Sequence, residues 1–250
     1  MSHDGEGKVR IGITLGDVNG VGPEVVMKAL SDNRLFQTIT PVIYGSSKVI
    51  SHHRKVLNIQ EFNYNTVKSI NEVIPRKINV INCWEEELKI EIGTPSSETG
   101  VYSYKALQAA TADLAAGKLH AIVTAPLDKH TAQPAGSGFT GHTEFLGKAL
   151  PNSSPLMFLV SGDLRVALVT GHVPVTKVAS LITKENIQNK LNIMVQSLKR
   201  DFNIRKPKIA VLGLNPHAGD NGVIGSEDMD IIAPAVKAFN DKSAVVYGPY

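Results

Sequence analysis

The sequence has little of the residues that mark several protein classes. Its 250 residues contain one cysteine, Cys83, and one tryptophan. A single cysteine excludes an intrachain disulfide and a cysteine-based zinc knuckle, and it favours a reducing cytoplasm as the place where the protein works. The longest apolar stretches, such as 156–160, fall far short of the roughly 20 residues that a helix needs to cross a bilayer, so we expect no membrane partner.

The sequence also lacks a large excess of charge of one sign. The sequence has 26 Lys and Arg against 23 Asp and Glu, a formal net charge of +3. This balance, without long basic runs, is typical of an ordinary solvated surface and argues against a nucleic-acid partner. A small positive excess still suits a small anionic substrate.

Short β-branched runs alternate with longer segments of helical period, which is typical of parallel βαβ units. We predict helices at about 101–117, after an N-cap at Thr183, and from Ser226, where Asp228 lies in the first turn. The predicted strands are Val9–Leu15, Pro41–Tyr44, Ile78–Ile81, His120–Thr124, Leu156–Val160, Leu164–Thr170, Lys208–Leu214 and Ala244–Tyr247.

Two glycine-rich segments are candidates for ligand loops. Residues 16–24 follow the first predicted strand, but the third glycine position of a dinucleotide fingerprint is occupied by Val25, so we reject that motif. A tight strand-to-helix turn remains the alternative there. Residues 136–143 match a phosphate loop except that His142 replaces the lysine. Glycines leading into a helix at about 143–150 would still present backbone N–H groups to an anion, with His142 and Thr143 as side-chain donors. The alternative makes Thr143 an N-cap and His142 a surface residue.

Two histidines follow predicted strands in loops that Pro and Gly stiffen: His172 within 170–174 and His217 within 214–219. Because ligands of parallel sheets collect beyond the carboxyl ends of strands, both imidazoles could face one crevice and share a divalent cation. A structural role for each remains the alternative, and we find no third ligand. The other histidines lack such a setting; they are His3, His52, His53, His120 and His130.

Several motifs occur together and in order: Thr-Leu-Gly-Asp at 14–17, Gly-Val-Gly-Pro-Glu at 20–24, Val-Thr-Ala-Pro-Leu-Asp-Lys at 123–129, Phe-Thr-Gly-His-Thr-Glu at 139–144, Thr-Gly-His-Val-Pro at 170–174 and Gly-Leu-Asn-Pro-His-Ala-Gly at 213–219. In this combination the sequence resembles the 4-hydroxythreonine-4-phosphate dehydrogenases of vitamin B6 biosynthesis.

This resemblance implies an α/β fold of two α/β/α domains with a mostly parallel sheet, similar to isocitrate and isopropylmalate dehydrogenases. We expect a first domain at 1–127 and a second at 128–250 that carries the metal and substrate loops. A homodimer with the active site at the subunit contact is also implied.

The resemblance implies the chemistry as well. His142 and Thr143 would bind the substrate, and His172 and His217 would hold a divalent cation, Zn, Mg or Co. The expected reaction is the NAD- or NADP-dependent oxidation and decarboxylation of 4-phosphooxy-L-threonine to 3-amino-2-oxopropyl phosphate. Lys129 stays unassigned because the sequence at 129–134 differs from the one usual in the family. No catalytic or cofactor-binding residue is assigned.

The chain's end also departs from the family, whose members continue past the segment resembling 246–250. We expect that further part to carry a third metal-binding histidine, more phosphate contacts and much of the dinucleotide site, and we expect these 250 residues to be an incomplete version of a longer polypeptide. Two alternatives stay open. One is a dehydrogenase of a related phosphorylated hydroxy acid, threonate or erythronate 4-phosphate, and the other is a non-catalytic anion- or metal-binding module.

Overall fold

The computed structural model describes residues 9–132, 141–150 and 154–250, in two compact units. The first unit lies within Met1–Ser153 and the second within Ser154–Tyr250. In the described residues, no helix is both long enough and apolar enough to span a membrane.

The first unit is built on a five-stranded parallel sheet in the order β3-β4-β2-β1-β5. Its strands are β1 Val9–Thr14, β2 Ile39–Gly45, β3 Asn65–Val67, β4 Asn79–Asn82 and β5 Ala121–Thr124. The central strand β2 is buried almost throughout, as expected of a parallel strand with both faces covered.

Helices connect these strands or follow the last of them. They are α1 Gly22–Leu30, α2 Ser47–Val56, α3 Ser97–Ala115, α4 Lys129–Ala132 and α5 His142–Ala149, with short 3-10 helices at Asn33–Gln37 and Ile70–Glu72. Pro23 occupies the first turn of α1, where its missing N–H leaves no helical bond unmade. Val26, Met27 and Leu30 of α1 lie in the same core as Val42 and Ile43 of β2.

The second unit combines two small sheets with helices. Strands β6 Phe158–Ser161 and β7 Leu164–Ala167 form an antiparallel hairpin, and β8 Lys208–Ala210 pairs in parallel with β9 Val245–Tyr247. The helices are α6 Val175–Leu181, α7 Lys184–Arg200 and α8 Ala233–Ala238, with a 3-10 segment at Pro216–Gly222 and a π-helical turn at Asp228–Ile232.

Helix α7 supplies much of the second core. Its buried residues recur at three- and four-residue steps, which places them on one stripe against Ile209 and Ile232. The stripe consists of Ile187, Leu191, Val195 and Leu198. The side chain of Thr183 accepts a hydrogen bond from the Asn186 N–H at 3.1 Å, which confirms the predicted N-cap.

The α/β class and the predominance of parallel pairing are confirmed. The predicted strands Leu156–Val160 and Leu164–Thr170 form an antiparallel hairpin, because Gly162 turns the chain with a positive φ of 51° after only four paired residues. The short edge strand β3 was not predicted. The boundary at 127/128 stays a prediction, although α4 and α5 pack on α3 within the first unit.

Candidate functional site

The loops after β1 and β5 touch at the carboxyl edge of the first sheet. The Asp17 N–H donates to the Pro126 carbonyl at 3.0 Å, and a Cβ at Gly16 would lie 2.1 Å from that same oxygen. Gly16 also has a positive φ of 69°, so glycine is required there on both counts. The chain runs from β1 to β2 on one side, whereas β5, on the other side of β1, is reached from β4, and ligands of open α/β sheets bind at such a change in strand order.

The polar side chains of the β1–α1 loop are used to hold the loop itself. Asp17 accepts a hydrogen bond from the Asn19 N–H at 3.0 Å. The buried Asn19 side chain donates to the Thr94 carbonyl and accepts from the Glu91 N–H, which ties the loop to the segment before α3. These contacts favour the tight strand-to-helix turn over a ligand loop as the role of Asp17 and Asn19.

His53 is a supporting residue that the sequence did not single out. It is 1% exposed on α2, and its Nε2 lies 2.7 Å from the Val18 carbonyl oxygen, to which a neutral imidazole donates. Burial lowers the pKa of His53, which favours this neutral form. Helical spacing was the available signal, since Val49, Ile50 and His53 share one face of α2.

His142 and Thr143 lie in the first turn of α5. The helix begins at His142 with Gly141 as N-cap, so Thr143 is inside the helix and the N-cap alternative for it is wrong. Both residues are half-buried, so the surface alternative for His142 stays open. Phe145 places this turn by packing edge-on against Tyr104 of α3, with ring centroids 5.4 Å apart.

The phosphate-loop pattern at 136–143 is only partly visible, because residues 136–140 lie outside the described ranges. What the structure describes is its end, at the start of an eight-residue helix. The first turn of a helix points backbone N–H groups beyond its beginning, and the helix dipole favours negative charge there. The imidazole and the hydroxyl at this turn add donors that suit a phosphate.

His217 occupies an unusual backbone conformation in the second unit. It lies in Pro216–Gly222, where His217, Ala218, Gly219, Asp220 and Asn221 all have positive φ between 45° and 84°. A left-handed conformation costs roughly 1–2 kcal/mol per non-glycine residue, and strain of this kind clusters at functional sites. The imidazole of His217 is exposed.

His172 also lies in a loop of the second unit. It follows β7 and precedes α6, for which Pro174 is the N-cap residue, and it is exposed. The Val173 N–H donates to the Gly171 carbonyl at 2.9 Å, which folds the chain tightly around the histidine. His142 and Thr143 thus belong to one unit, and His172 and His217 to the other.

Metal-ligand clusters and cavities provide two further checks on the described part of the chain. There, no three His, Cys, Asp or Glu side chains come close enough together to hold a metal ion. A cavity of about 630 Å³ in the second unit is lined mainly by apolar residues of β7, α7 and β8 and by neither His172 nor His217. A second cavity, of about 430 Å³ around the start of α2, contains no sequence-predicted site residue.

Comparison with known proteins identifies the family. The sequence profile of the family described as pyridoxal phosphate biosynthetic protein PdxA matches residues 37–250. The chain belongs to the PdxA family. The matched region includes His142, Thr143, His172 and His217, and the family's proteins are oxidoreductases, which confirms the predicted enzyme class.

Individual PdxA-family relatives agree with this assignment. The chain is 47% identical over 246 residues to 4-hydroxythreonine-4-phosphate dehydrogenase of Bacteroides thetaiotaomicron, covering 98% of the chain and 67% of that protein. It is 32% identical to D-threonate 4-phosphate dehydrogenase of Pectobacterium atrosepticum, covering 96% of the chain and 74% of that protein.

A crystal structure from the same family extends the likeness to the fold. The 4-hydroxythreonine-4-phosphate dehydrogenase of Klebsiella pneumoniae superposes with a TM-score of 0.81 at 30% identity, covering 97% of this chain and 75% of that one. The PdxA relatives are therefore longer than these 250 residues.

Proposed function

We propose that this PdxA-family chain acts in NAD(P)- and divalent-metal-dependent oxidation and decarboxylation of 4-phosphooxy-L-threonine to 3-amino-2-oxopropyl phosphate, in the synthesis of pyridoxal phosphate. The observation that carries the proposal is the 47% identity, over nearly the whole chain, to a relative named for this substrate. The binding motifs in the described residues have the chemistry that such a substrate requires.

The reaction needs the phosphate end of the substrate to be fixed while the chemistry occurs at C3 and C1. We assign the phosphate to the first turn of α5, where the His142 imidazole and the Thr143 hydroxyl can donate and the helix dipole attracts the anion. Fixing the phosphate orients C3 relative to the other groups, and such orientation lowers the barrier without any bond to the phosphate.

The donor set of His172 and His217 fits a divalent cation in part. Both are exposed imidazoles on loops that contain a proline, and imidazole is a ligand that Zn and Co accept readily. A catalytic ion usually takes three protein ligands, so these two residues would supply part of the set. When bound, a divalent cation supplies Lewis-acid polarisation of the substrate's oxygen atoms.

The bond changes in the substrate balance without any further reactant. NAD(P), when bound, would accept the hydride from C3 while the C3 hydroxyl gives up its proton, which would leave a β-keto acid. The C1–C2 bond then breaks, CO2 leaves, and C2 takes up a proton to give the aminoketone phosphate. His172 and His217 would hold the group that polarises the C3 oxygen, and His142 and Thr143 would hold the phosphate throughout.

A second substrate class has a specific observation in its favour. The relative from Pectobacterium atrosepticum is named for D-threonate 4-phosphate, which carries a hydroxyl on C2 where 4-phosphooxy-L-threonine carries its amine. The phosphate-binding turn would accept either compound, so the two proposals differ in which residues contact the amine or hydroxyl on C2. A homodimer with the active site at the subunit contact is part of both proposals.

Comparative turnover tests the assignment. Reduction of NAD and NADP is followed by absorbance with 4-phosphooxy-L-threonine, D-threonate 4-phosphate and D-erythronate 4-phosphate, before and after chelation of metal. The proposal predicts the highest kcat/KM for the amino acid and loss of turnover on chelation. Equal or higher kcat/KM for a hydroxy acid would replace the substrate, and ligand binding without any turnover would favour a non-catalytic module.

A further inference from the structure

Asp228 is a buried carboxylate that accepts hydrogen bonds from the loop carrying His217. It is 1% exposed at the start of the π-helical turn Asp228–Ile232. Its Oδ1 accepts a hydrogen bond from the Leu214 N–H at 2.8 Å, and its Oδ2 accepts from the Asn215 N–H at 3.0 Å and the Asn215 Nδ2 at 3.1 Å. Burial of a carboxylate is tolerated when donors satisfy its oxygens in this way.

The residues that donate these hydrogen bonds lie immediately before the left-handed segment. Asn215 is the residue that precedes Pro216–Gly222, and its carbonyl accepts the Ala218 N–H at 3.1 Å. Its side chain is fixed a second time, because Nδ2 also donates to the Glu227 carboxylate at 2.9 Å. Only Pro216, whose ring restricts φ, separates this anchor from His217. The position of the imidazole therefore depends on where Asn215 is held.

The same carboxylate lies close to the chain on both sides of His217. A Cβ at Gly213 would lie 3.1 Å from Asp228 Oδ1, and a Cβ at Gly219 would lie 3.7 Å from Asp228 Oδ2. The Gly219 Cβ would also lie 2.5 Å from the Gly225 carbonyl oxygen. Asp228 is thus enclosed by the loop that it holds, and the left-handed turn closes around it.

We propose that Asp228 is a positioning residue for His217: by holding Leu214 and Asn215 it fixes the left-handed turn that presents the imidazole to the metal. The part that concerns the metal rests on the proposed function, whereas the part that concerns the turn does not. Hydrogen-bonded partners that orient metal ligands typically change metal affinity by about 10- to 100-fold when they are removed.

The test compares Asp228→Asn with Asp230→Asn. Asparagine keeps the shape of Asp228 but presents an NH2 group to at least one N–H donor, so at least one of the three bonds is lost. Asp230 is exposed in the same π-helical turn, and its replacement removes the same charge without touching the loop. Circular dichroism establishes that both variants are folded before comparison.

The first measurement needs no metal and no turnover. Hydrogen exchange is followed at the amides of Ala218 and Ile224, which are bonded to Asn215 and Gly219 and not to Asp228. The proposal predicts at least about tenfold faster exchange at these amides in Asp228→Asn and unchanged exchange in Asp230→Asn. Wild-type exchange at both amides in Asp228→Asn would overturn the proposal.

The second measurement uses Co²⁺ as the probe, because its absorption spectrum reports ligand geometry. Asp228→Asn is expected to bind Co²⁺ at least about tenfold more weakly with an altered spectrum, whereas Asp230→Asn matches the wild type. Wild-type Kd and spectrum in Asp228→Asn, together with lost binding in His217→Ala, would overturn the positioning role. Wild-type binding in His217→Ala would instead refute the metal assignment, and the exchange result would then decide the role of Asp228.

A milder variant keeps the proposal testable if Asp228→Asn does not fold. Asn215→Ala removes the side-chain hydrogen bonds to Asp228 and Glu227 but leaves the two backbone N–H groups that donate to Asp228. The same changes are expected, in the same direction and smaller, at roughly threefold in Co²⁺ affinity. No change in exchange or in Co²⁺ binding would overturn the proposal.

Discussion

Gly100→Ala tests how the first unit holds the first turn of α5, to which we assign the substrate's phosphate. Gly100 lies in α3, where alanine normally stabilises a helix by about 1 kcal/mol relative to glycine. Here a Cβ would lie 2.1 Å from the Thr131 carbonyl oxygen, 2.3 Å from the Thr131 carbonyl carbon and 2.8 Å from the Ala132 N. All three atoms are backbone atoms of α4, so no side-chain rotation relieves the overlap.

The expected outcome is a net loss of stability. Overpacking costs about 1–3 kcal/mol, and because this overlap is with backbone atoms we expect a cost of about 2–3 kcal/mol, which exceeds the gain of about 1 kcal/mol in helix propensity. We expect the free energy of unfolding of the first unit to fall by about 1–2 kcal/mol and its Tm to fall by about 2–8 °C. Because α4 and α5 share the small core of Leu107 and Ala132 with Phe145, we also expect KM for the phosphorylated substrate to rise.

Urea unfolding and calorimetry measure this change. Gly171→Ala is the control, because a Cβ there meets no heavy atom within 4 Å. Stabilisation of Gly100→Ala by about 1 kcal/mol, as helix propensity alone predicts, would refute the packing of α3 against α4.

Three further predictions follow from the sites. His172→Ala or His217→Ala is expected to abolish metal-dependent turnover while leaving circular dichroism unchanged, because both side chains are exposed on loops. His142→Ala is expected to raise KM for the phosphorylated substrate more than it lowers kcat, as steady-state kinetics would show. Burial lowers the pKa of His53, so the unfolded state binds more protons than the folded state below about pH 6.5, and the free energy of unfolding should fall with falling pH by at most about 1.4 kcal/mol per pH unit. Urea unfolding between pH 5 and 8 measures that slope, and His53→Gln should reduce it.

Each of these predictions has a result that contradicts it. Full turnover in either His172→Ala or His217→Ala would contradict the proposed metal-binding role of that residue. An unchanged KM in His142→Ala would contradict the proposed contact between that imidazole and the phosphate. For the pH dependence, His52→Gln is the control because His52 is exposed beside His53, and an equal loss of slope in both variants would contradict the assignment to the buried ring.

Much of the fold could be predicted from local pattern. The eight predicted strands all occur, with ends that differ by a few residues, and Thr183 caps α7 as its position suggested. Strand β3 was missed because three residues, Asn65–Val67, at a sheet edge carry too little alternation to stand out. The hairpin of β6 and β7 was missed because the apolar content of a strand does not show the direction of its partner.

The site could be predicted only at the level of motifs. His142 at the start of a helix and His217 after a strand were visible from neighbouring glycines and prolines. The contacts that support the loops join distant residues: His53 holds Val18 of the β1–α1 loop from 35 residues away, and Asp228 holds Leu214, close to His217, from 14 residues away. Local spacing contains no information on such pairs, so Asp228 was interpreted only as an acid in a first helical turn.

The most direct test of the account is an anomalous-scattering map of crystals grown with Co²⁺. The account predicts one ion bonded to a ring nitrogen of both His172 and His217, at about 2.0–2.1 Å from each. An ion bound elsewhere, or two imidazoles that bind separate ions, would contradict it.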